Sequence, residues 1–160
     1  MSATLRRQDV PPTPGPPCEV IRCGPGPGIR CQILSNAVWG CWTHWDGHRS
    51  RECLGEASDC AGHANGWPTR WKGYVSIWCA MRRSVVLLEL TPASAGEIIR
   101  QAGCDKSLRG LLLRLDRHGS SIRAKIAVEL SASVADNTNL PAAMDPEPIL
   151  RKLWGWKVKD

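Results

Sequence analysis

The sequence predicts an α+β fold made mainly of antiparallel β-strands, either a small OB-like barrel or a twisted sheet, with one or two helices and a zinc-binding loop insertion. Three observations lead to this prediction. Short runs with the two-residue periodicity of strands follow one another beyond Pro68. Between two of these runs lies a segment with the start and stop signals of a helix. Three of the four histidines and three of the eight cysteines fall within residues 41–63.

Length and composition indicate one domain preceded by a tail. The chain has 160 residues, of which 42% are hydrophobic, and this is enough for a single core. Five prolines stand among residues 11–17, where they remove backbone donors and favour extended conformations. We therefore expect residues 1–17 to form a disordered tail and residues 18–160 to form a single zinc-containing, β-rich domain.

Strands are predicted from alternation and from β-branched and aromatic residues. Residues 71–80 and 84–90 are rich in such residues and flank a short polar turn, which predicts a hairpin. In residues 122–130 the alternation is regular, with Ile126 and Val128 on one face and Lys125 and Glu129 on the other. The complete set of predicted strands is 18–23, 29–38, 71–80, 84–90, 109–117 and 122–130.

Two helices are predicted from their capping residues. Thr91 is a typical N-cap, Pro92 suits the first helical position, and Gly103 can end the helix that covers residues 93–102. Asp145 is a second N-cap candidate, which predicts a final helix over residues 146–154.

The segment 39–67 carries the candidate metal ligands. Cys41 and His44, and likewise Cys60 and His63, have two residues between them, and fifteen residues separate the two pairs. This spacing resembles that of a zinc ribbon, whose tetrahedral site accepts any mixture of thiolate and imidazole. Cys53 is a further candidate, because the glycine that follows Leu54 can turn the chain around the metal.

The preferred ligand set is His44, Cys53, Cys60 and His63, with Cys41 as the alternative ligand. Cys41 is less favoured because Trp39 and Trp42 flank it, which is typical of a core position. The other five cysteines stand singly among apolar, Gly or Pro residues, so we expect them to be small buried hydrophobic residues; they are Cys18, Cys23, Cys31, Cys79 and Cys104.

A closed, structural zinc ion is favoured over a catalytic one. The signatures of zinc deaminases and of the metalloprotease helix are absent from the sequence. A small HNH-like nuclease, in which His44 or His48 activates water, is an alternative, but the expected Asn and second His at helical spacing are missing.

Basic and aromatic residues predict contact with nucleic acid. The chain has 21 Lys and Arg against 15 Asp and Glu, a formal charge of +6, which favours an anionic partner. Rings alternate with cations between Trp67 and Tyr74, and we expect Lys72 and Tyr74 to be exposed with Trp71 inside. The predicted contacts are Arg70, Lys72, Tyr74, Arg109, Arg114, Arg117, Arg123 and Lys125.

These patterns together predict a non-enzymatic zinc-binding module that contacts DNA or RNA, single strands in particular, with little sequence specificity, either alone or in a larger protein complex. Two alternatives stay open: a protein-interaction adapter with a structural zinc site, and the metal-dependent nuclease. No apolar run is long enough to cross a bilayer, and residues 1–17 lack the apolar core of a secretory signal. We therefore expect a cytoplasmic protein.

Overall fold

The computed structural model describes residues 19–55, 59–133 and 139–154. The tail predicted over residues 1–17 lies outside these ranges. The described elements, in chain order, are β1 (Val20–Arg22), β2 (Ile29–Ile33), β3 (Trp39–Trp45), β4 (Ser50–Glu52), α1 (Ala61–Ala64), β5 (Thr69–Cys79), β6 (Ser84–Leu90), α2 (Pro92–Ala102), β7 (Leu112–Arg117), β8 (Ile126–Ser131) and α3 (Pro146–Trp154).

The strands form one mixed sheet in the order β1-β6-β5-β2-β7-β8. Strand β1 runs parallel to β6, and the other pairs are antiparallel. The long strand β5 pairs with β3 through its first half and with β2 through its second half, so the β3–β4 hairpin extends from the sheet on this side. The α+β class is confirmed, but the described sheet is open, with β1 and β8 at its ends, and the OB-like barrel is not confirmed.

The two faces of β5 pack against different helices. The first face carries Trp71, Val75 and Ile77, and it packs in the main core with Ala95 and Ile98 of α2. The predicted start of α2 is confirmed, because Thr91 is the N-cap and its Oγ1 accepts a hydrogen bond from the backbone amide of Ser94 at 3.2 Å, with Pro92 at the first position.

The second face of β5 carries Lys72, Tyr74 and Trp78, and helix α3 covers its middle. Tyr74 packs there against Leu150 and Trp154 and is 0% exposed. The prediction that Tyr74 is exposed is therefore wrong. Alternation correctly separates the two faces of the strand, but it treats the more polar face as solvated, whereas α3 turns this face into a second small core.

Two further corrections concern the region of the metal and nucleic-acid predictions. Residues 39–52 form the β3–β4 hairpin rather than a loop insertion. Strand β8 begins at Ile126 instead of residue 122, because the guanidinium of Arg117 donates to the carbonyl oxygens of Ile122 and Ala124 and holds residues 118–125 in a loop. Arg123 and Lys125 therefore precede the strand.

Among the described residues, no helix has the length and apolar character that a membrane crossing requires. Cys23, Cys31 and Cys79 are buried as expected, whereas Cys104 is exposed at the turn after α2. Cys18, the fifth cysteine of this prediction, lies outside the described residues.

Candidate metal centre

Four predicted ligands meet where one face of the β3–β4 hairpin packs against α1. The ligand atoms of His44, Cys53, Cys60 and His63 all lie within 4.8 Å of one another. Cys60 Sγ is 3.5 Å from His44 Nε2, and Cys53 Sγ is 3.9 Å from His63 Nε2. Ligand bonds of zinc length in tetrahedral geometry place sulfur and nitrogen about 3.6 Å apart. The four side chains can therefore hold one metal ion with little rearrangement.

Strand register and one helical turn bring these residues together. His44 lies near the end of β3 opposite Arg51, and the backbone amide of Cys53 continues the ladder by donating to Trp42 O at 3.0 Å. His44 and Cys53 thus emerge on the same face of the hairpin. Cys60 is the N-cap of α1 and His63 lies three residues later, on the same side of that single turn. The hairpin and α1 each supply one Cys and one His.

The hydrogen bonds of His44 fix which of its nitrogens can bind metal. Its Nδ1 is 3.1 Å from the carbonyl oxygen of Trp67, which can only accept a hydrogen bond. Nδ1 therefore carries the proton and donates it, and this assigns the tautomer with a free lone pair on Nε2, the atom that faces Cys60. A histidine held by a backbone carbonyl in this way is the usual arrangement around metal ligands.

Gly62 allows α1 to close over the imidazole of His44. A Cβ atom at this position would be 2.0 Å from His44 Cδ2 and 2.6 Å from Nε2. Only a residue without a side chain permits this approach, because Cβ contacts below 3.0 Å are essentially never made. His44 is consequently fully buried, and its ring meets that of His63 edge-on with centroids 4.8 Å apart.

Cys60 is buried, and its surroundings favour the thiolate. Burial alone disfavours the charged form, but the backbone amides of His63, Leu54 and Gly62 point at the sulfur, and together they lower the pKa of the Cys60 thiol below its usual value. The Leu54 amide donates to Cys60 Sγ at 3.4 Å. Since the thiolate is the form that binds metal, these amides prepare Cys60 for this role.

The alternative ligand Cys41 is outside the cluster. It lies three residues from His44 on the same strand, so the two side chains point to opposite faces. Cys41 packs beside Tyr74 and Trp154, and burial raises the pKa of its thiol to about 12. Two residues with this separation can share a metal ion when they lie in a turn, but in a strand their side chains project to opposite faces of the sheet. His48 is exposed in the turn after β3 and is also outside the cluster.

The predicted nucleic-acid contacts divide into three groups. Tyr74 is buried and cannot stack on a base. Four cations are held by protein groups: Lys72 pairs with Glu89, Arg114 pairs with Asp116, and Arg109 and Arg117 donate to backbone carbonyl oxygens. The remaining three are exposed and form no ion pair or side-chain hydrogen bond with a described residue; they are Arg70, Arg123 and Lys125.

Five of the predicted cations line two adjoining grooves beside the start of α2. One groove includes Arg70, Lys72 and Arg117, and the other includes Arg117, Arg123 and Lys125. The grooves share Arg117, together with Ile122 and Ile126, and we call the combined surface the basic groove. Arg109 and Arg114 lie elsewhere, Arg109 in the turn before β7 and Arg114 on β7.

Sequence reasoning missed Gly62 and the carbonyl of Trp67. The position of Gly62 between Cys60 and His63 is a usable signal, since a glycine inside a ligand pair often marks a close approach. The carbonyl has no signal in the sequence, because any residue supplies one. No family model, curated protein or solved structure matches this chain. Its function therefore has to be inferred from the site.

Proposed function

We propose that this chain is a non-enzymatic zinc-binding module that contacts nucleic acid with little sequence specificity. The observation that carries the zinc part is the convergence of two cysteines and two histidines where one face of the β3–β4 hairpin packs against α1. The nucleic-acid part rests on the net charge of +6 and on the uncommitted cations of the basic groove.

Zinc is the metal that this ligand set favours. Two thiolates with two imidazoles in a tetrahedral arrangement are typical of structural zinc sites, whereas oxygen ligands would suit magnesium or calcium. Four protein ligands fill the coordination sphere and leave no position for a reacting water. The cysteines among the described residues are free, which suits a reducing compartment such as the cytoplasm.

A structural zinc ion would stabilise the packing of α1 against the β3–β4 hairpin. Helix α1 has only four residues, and a single turn is not stable without tertiary contacts. The metal would tie α1 to β3 and β4, and the chain then enters β5 through Trp67, whose carbonyl holds His44 and whose ring lies 5.8 Å from the guanidinium of Arg51. Zinc binding therefore fixes the end of the hairpin that leads into the longest strand.

The basic groove supports a contact with phosphates. Arg70, Arg123 and Lys125 extend from two segments far apart in sequence toward one surface. None of the three forms an ion pair with a described carboxylate, although Glu97 lines the same groove and interacts electrostatically with Lys125. Phosphate contacts of this kind give affinity without sequence selection and weaken steeply with salt.

The test combines metal analysis with nucleic-acid binding. Protein purified without chelator should contain one zinc per chain by elemental analysis. Affinity for a labelled single strand is then measured by fluorescence anisotropy over a range of salt concentrations. Reversing the three free cations (Arg70→Glu, Arg123→Glu, Lys125→Glu) should reduce the slope of log affinity against log salt by about 2, since each lost phosphate contact of a single strand contributes about 0.7.

The matched control changes the net charge equally outside the basic groove, with Arg83→Glu, Lys106→Glu and Lys152→Glu. These side chains are exposed and do not line the groove. If both triple variants lost affinity for the strand equally, binding would depend on overall charge, and this would contradict the assignment of binding to the basic groove. Absence of zinc from the purified protein would contradict the metal part.

A protein-interaction adapter is the second candidate, and one observation favours it. Trp42 and Leu54 are 57% and 46% exposed on the segments that bear the metal ligands, so two large apolar side chains stand in solvent beside the site. If this candidate is correct, nucleic-acid binding disappears at moderate salt in the wild-type protein. The nuclease alternative predicts metal-dependent cleavage that His48→Ala abolishes, whereas our proposal predicts no cleavage at all.

A further inference from the structure

Part of the second sheet face lies beyond the contacts of α3. The helix covers β5 near Tyr74, and the backbone amide of Met144 donates to Ser76 Oγ at the edge of the covered part. Beyond Ser76 the same face carries a groove of about 500 Å³, which falls in the usual range for ligand sites. We call it the open-face groove, and its main lining residues are Arg30, Gln32, Trp78, Leu112, Arg114 and Glu129.

The strand register arranges these residues in two rows across the sheet. Trp78, Gln32 and Leu112 are direct neighbours on β5, β2 and β7. Arg30, Arg114 and Glu129 form the next row on β2, β7 and β8. The rows lie two residues apart along the strands, a separation of about 7 Å. A ring and an aliphatic side chain therefore stand beside a row of charged groups.

Trp78 and Arg30 are the uncommitted members of these rows. The indole N–H of Trp78 has no hydrogen-bond partner in the described parts of the chain, and its ring is only partly covered. Arg30 is exposed, and no described carboxylate pairs with it. Arg114, by contrast, donates through Nε to Asp116 at 2.6 Å and faces Glu129 across the strands. Among the described residues, the groove thus offers one free ring beside one free cation.

We infer that the open-face groove binds one nucleotide unit of a single-stranded nucleic acid, with the base stacked on Trp78 and its phosphate at Arg30. This inference rests on the nucleic-acid part of the proposed function, but it uses a different surface from the basic groove. A single free cation fits one phosphate, and the carboxylate of Glu129, which also lines the groove, disfavours a second phosphate beside it. A duplex also hides the face of the base, so only a single strand can stack here.

The stacking step sets the expected size of the effect. Loss of one contact between a base and an aromatic ring weakens binding by roughly 5- to 150-fold, since such contacts contribute about 1–3 kcal/mol. Stacking tolerates any base, because each has a flat π-face, which agrees with a module that has little sequence specificity. Leu112, 39% exposed, extends the apolar floor beside Trp78 toward β7.

The experiment compares two probes with the same phosphates. One is a fluorescein-labelled oligothymidylate of about ten nucleotides, within the range of sites on small modules. The other has the same length but carries abasic sugars. In fluorescence anisotropy at one salt concentration, the wild-type protein should bind the base-bearing strand more tightly, and Trp78→Leu should remove the difference. The control Trp42→Leu removes an exposed tryptophan from the first face. This variant should still bind the base-bearing strand more tightly than the abasic one.

The outcomes separate this inference from the proposed function. Equal affinity of the wild-type protein for both probes overturns the stacking site and leaves a phosphate-only contact intact. Binding of neither probe overturns the nucleic-acid function and the stacking site with it. A preference for the base-bearing strand that survives Trp78→Leu shows that another ring stacks, and it also overturns the inference.

A second measurement needs no variant and decides the matter if Trp78→Leu does not fold. The wild-type protein is irradiated with the same strand carrying 5-iodouracil, and the cross-linked peptide is identified by mass spectrometry. Attachment within β5 at Trp78 supports the site. Attachment only to residues outside the open-face groove contradicts it.

Discussion

Gly62 lies directly against the imidazole of His44, so closely that a Cβ atom on this glycine would stand 2.0 Å from Cδ2 of the ring. The two residues belong to different elements, since Gly62 is in α1 and His44 lies near the end of β3. Their contact means that α1 can adopt its position only with a glycine here. The contact also encloses the side of the ring that carries Nε2, the atom that faces Cys60.

Substitution of this glycine should therefore impair the metal site. In Gly62→Ala the methyl group must push away either α1, with Cys60 and His63, or the ring of His44. We expect zinc affinity to fall by roughly ten- to a hundredfold, the usual effect of disturbing a group that orients a ligand. Competition with a chromogenic chelator measures the affinity.

The matched control is Gly96→Ala in α2, where no atom lies within 4 Å of the added carbon. That variant should keep its zinc affinity and gain stability of up to about 1 kcal/mol, because alanine favours a helix more than glycine does. Unchanged affinity in Gly62→Ala would contradict the role of the contact.

The two candidate ligand sets differ in Cys41 and Cys53, and substitution distinguishes them. Cys53→Ala should lose zinc and lower the melting temperature, because the binding energy of a structural zinc is folding energy. Treatment of the wild-type protein with a strong chelator should reproduce the loss. Cys41→Ala should keep one zinc per chain, since its side chain lies on the opposite face of β3. The reverse pattern would favour the set that contains Cys41.

Local patterns predict those parts of the fold that local physics decides. The predicted strand at residues 84–90 is β6 with the same bounds, because a run of β-branched and aliphatic residues between two turns favours a buried strand. The start of α2 at Thr91 and Pro92 also follows from the sequence, because a cap is formed by neighbours in the chain.

The errors arise where distant segments meet. Tyr74 is buried by Leu150 and Trp154, some eighty residues later, and no pattern around Tyr74 reveals that contact. For the candidate site, the segment and the residue types are evident from the spacing, and the turn at Gly55 favours Cys53 over Cys41. The position of Cys41 is decided by the strand conformation of residues 39–45. The local sequence does not reveal this conformation, because its tryptophans and cysteines are equally compatible with a metal-binding turn.

Tyr74 should affect stability and not nucleic-acid binding. Its hydroxyl donates to Glu89 Oε2 at 3.0 Å inside the small core under α3. Tyr74→Phe removes this bond while Lys72 and Arg22 still pair with Glu89, so we expect a loss of about 1 kcal/mol in the free energy of unfolding. Urea denaturation measures the loss. If Tyr74 were an exposed stacking residue, the variant would keep its stability and bind oligonucleotides more weakly.

The ionisation of Tyr74 offers an independent check at alkaline pH. Burial, together with the charge of Glu89, raises the pKa of the phenol well above its usual value. A raised pKa means that the folded state keeps its proton, so the contribution to stability is present below the usual pKa of about 10 and is lost as the pH rises above it. Since Tyr74 is the only tyrosine of the chain, the ultraviolet absorbance of tyrosinate reports on it alone.

We expect no tyrosinate absorbance at a pH of about 11 while the chain is folded, and its full appearance when the chain unfolds. Circular dichroism recorded on the same sample shows which state is present. If the folded protein instead gave a tyrosinate signal with the usual midpoint near pH 10, Tyr74 would be solvated.

Alkylation of the cysteines tests burial and metal binding together. Burial, with a further contribution from neighbouring Cys79, raises the pKa of Cys31 to about 12, and burial likewise raises that of Cys41 to about 12. At pH 8 only about 1 in 10,000 of such thiols is the reactive thiolate. Iodoacetamide should therefore modify the exposed Cys104 and spare Cys31 and Cys41, as read by peptide mass spectrometry.

Cys53 and Cys60 should behave differently both from the exposed Cys104 and from the buried Cys31 and Cys41. In the proposed site zinc would hold their sulfurs as bound thiolates, so both should resist alkylation until a chelator is added and become modifiable afterwards. Raising the pH to about 10 increases the thiolate fraction of Cys31 a hundredfold, yet only to about 1 in 100, so its protection does not depend on metal. Alkylation of Cys53 and Cys60 at the rate of Cys104 before chelation would contradict the zinc site, because burial alone does not shield the half-exposed Cys53.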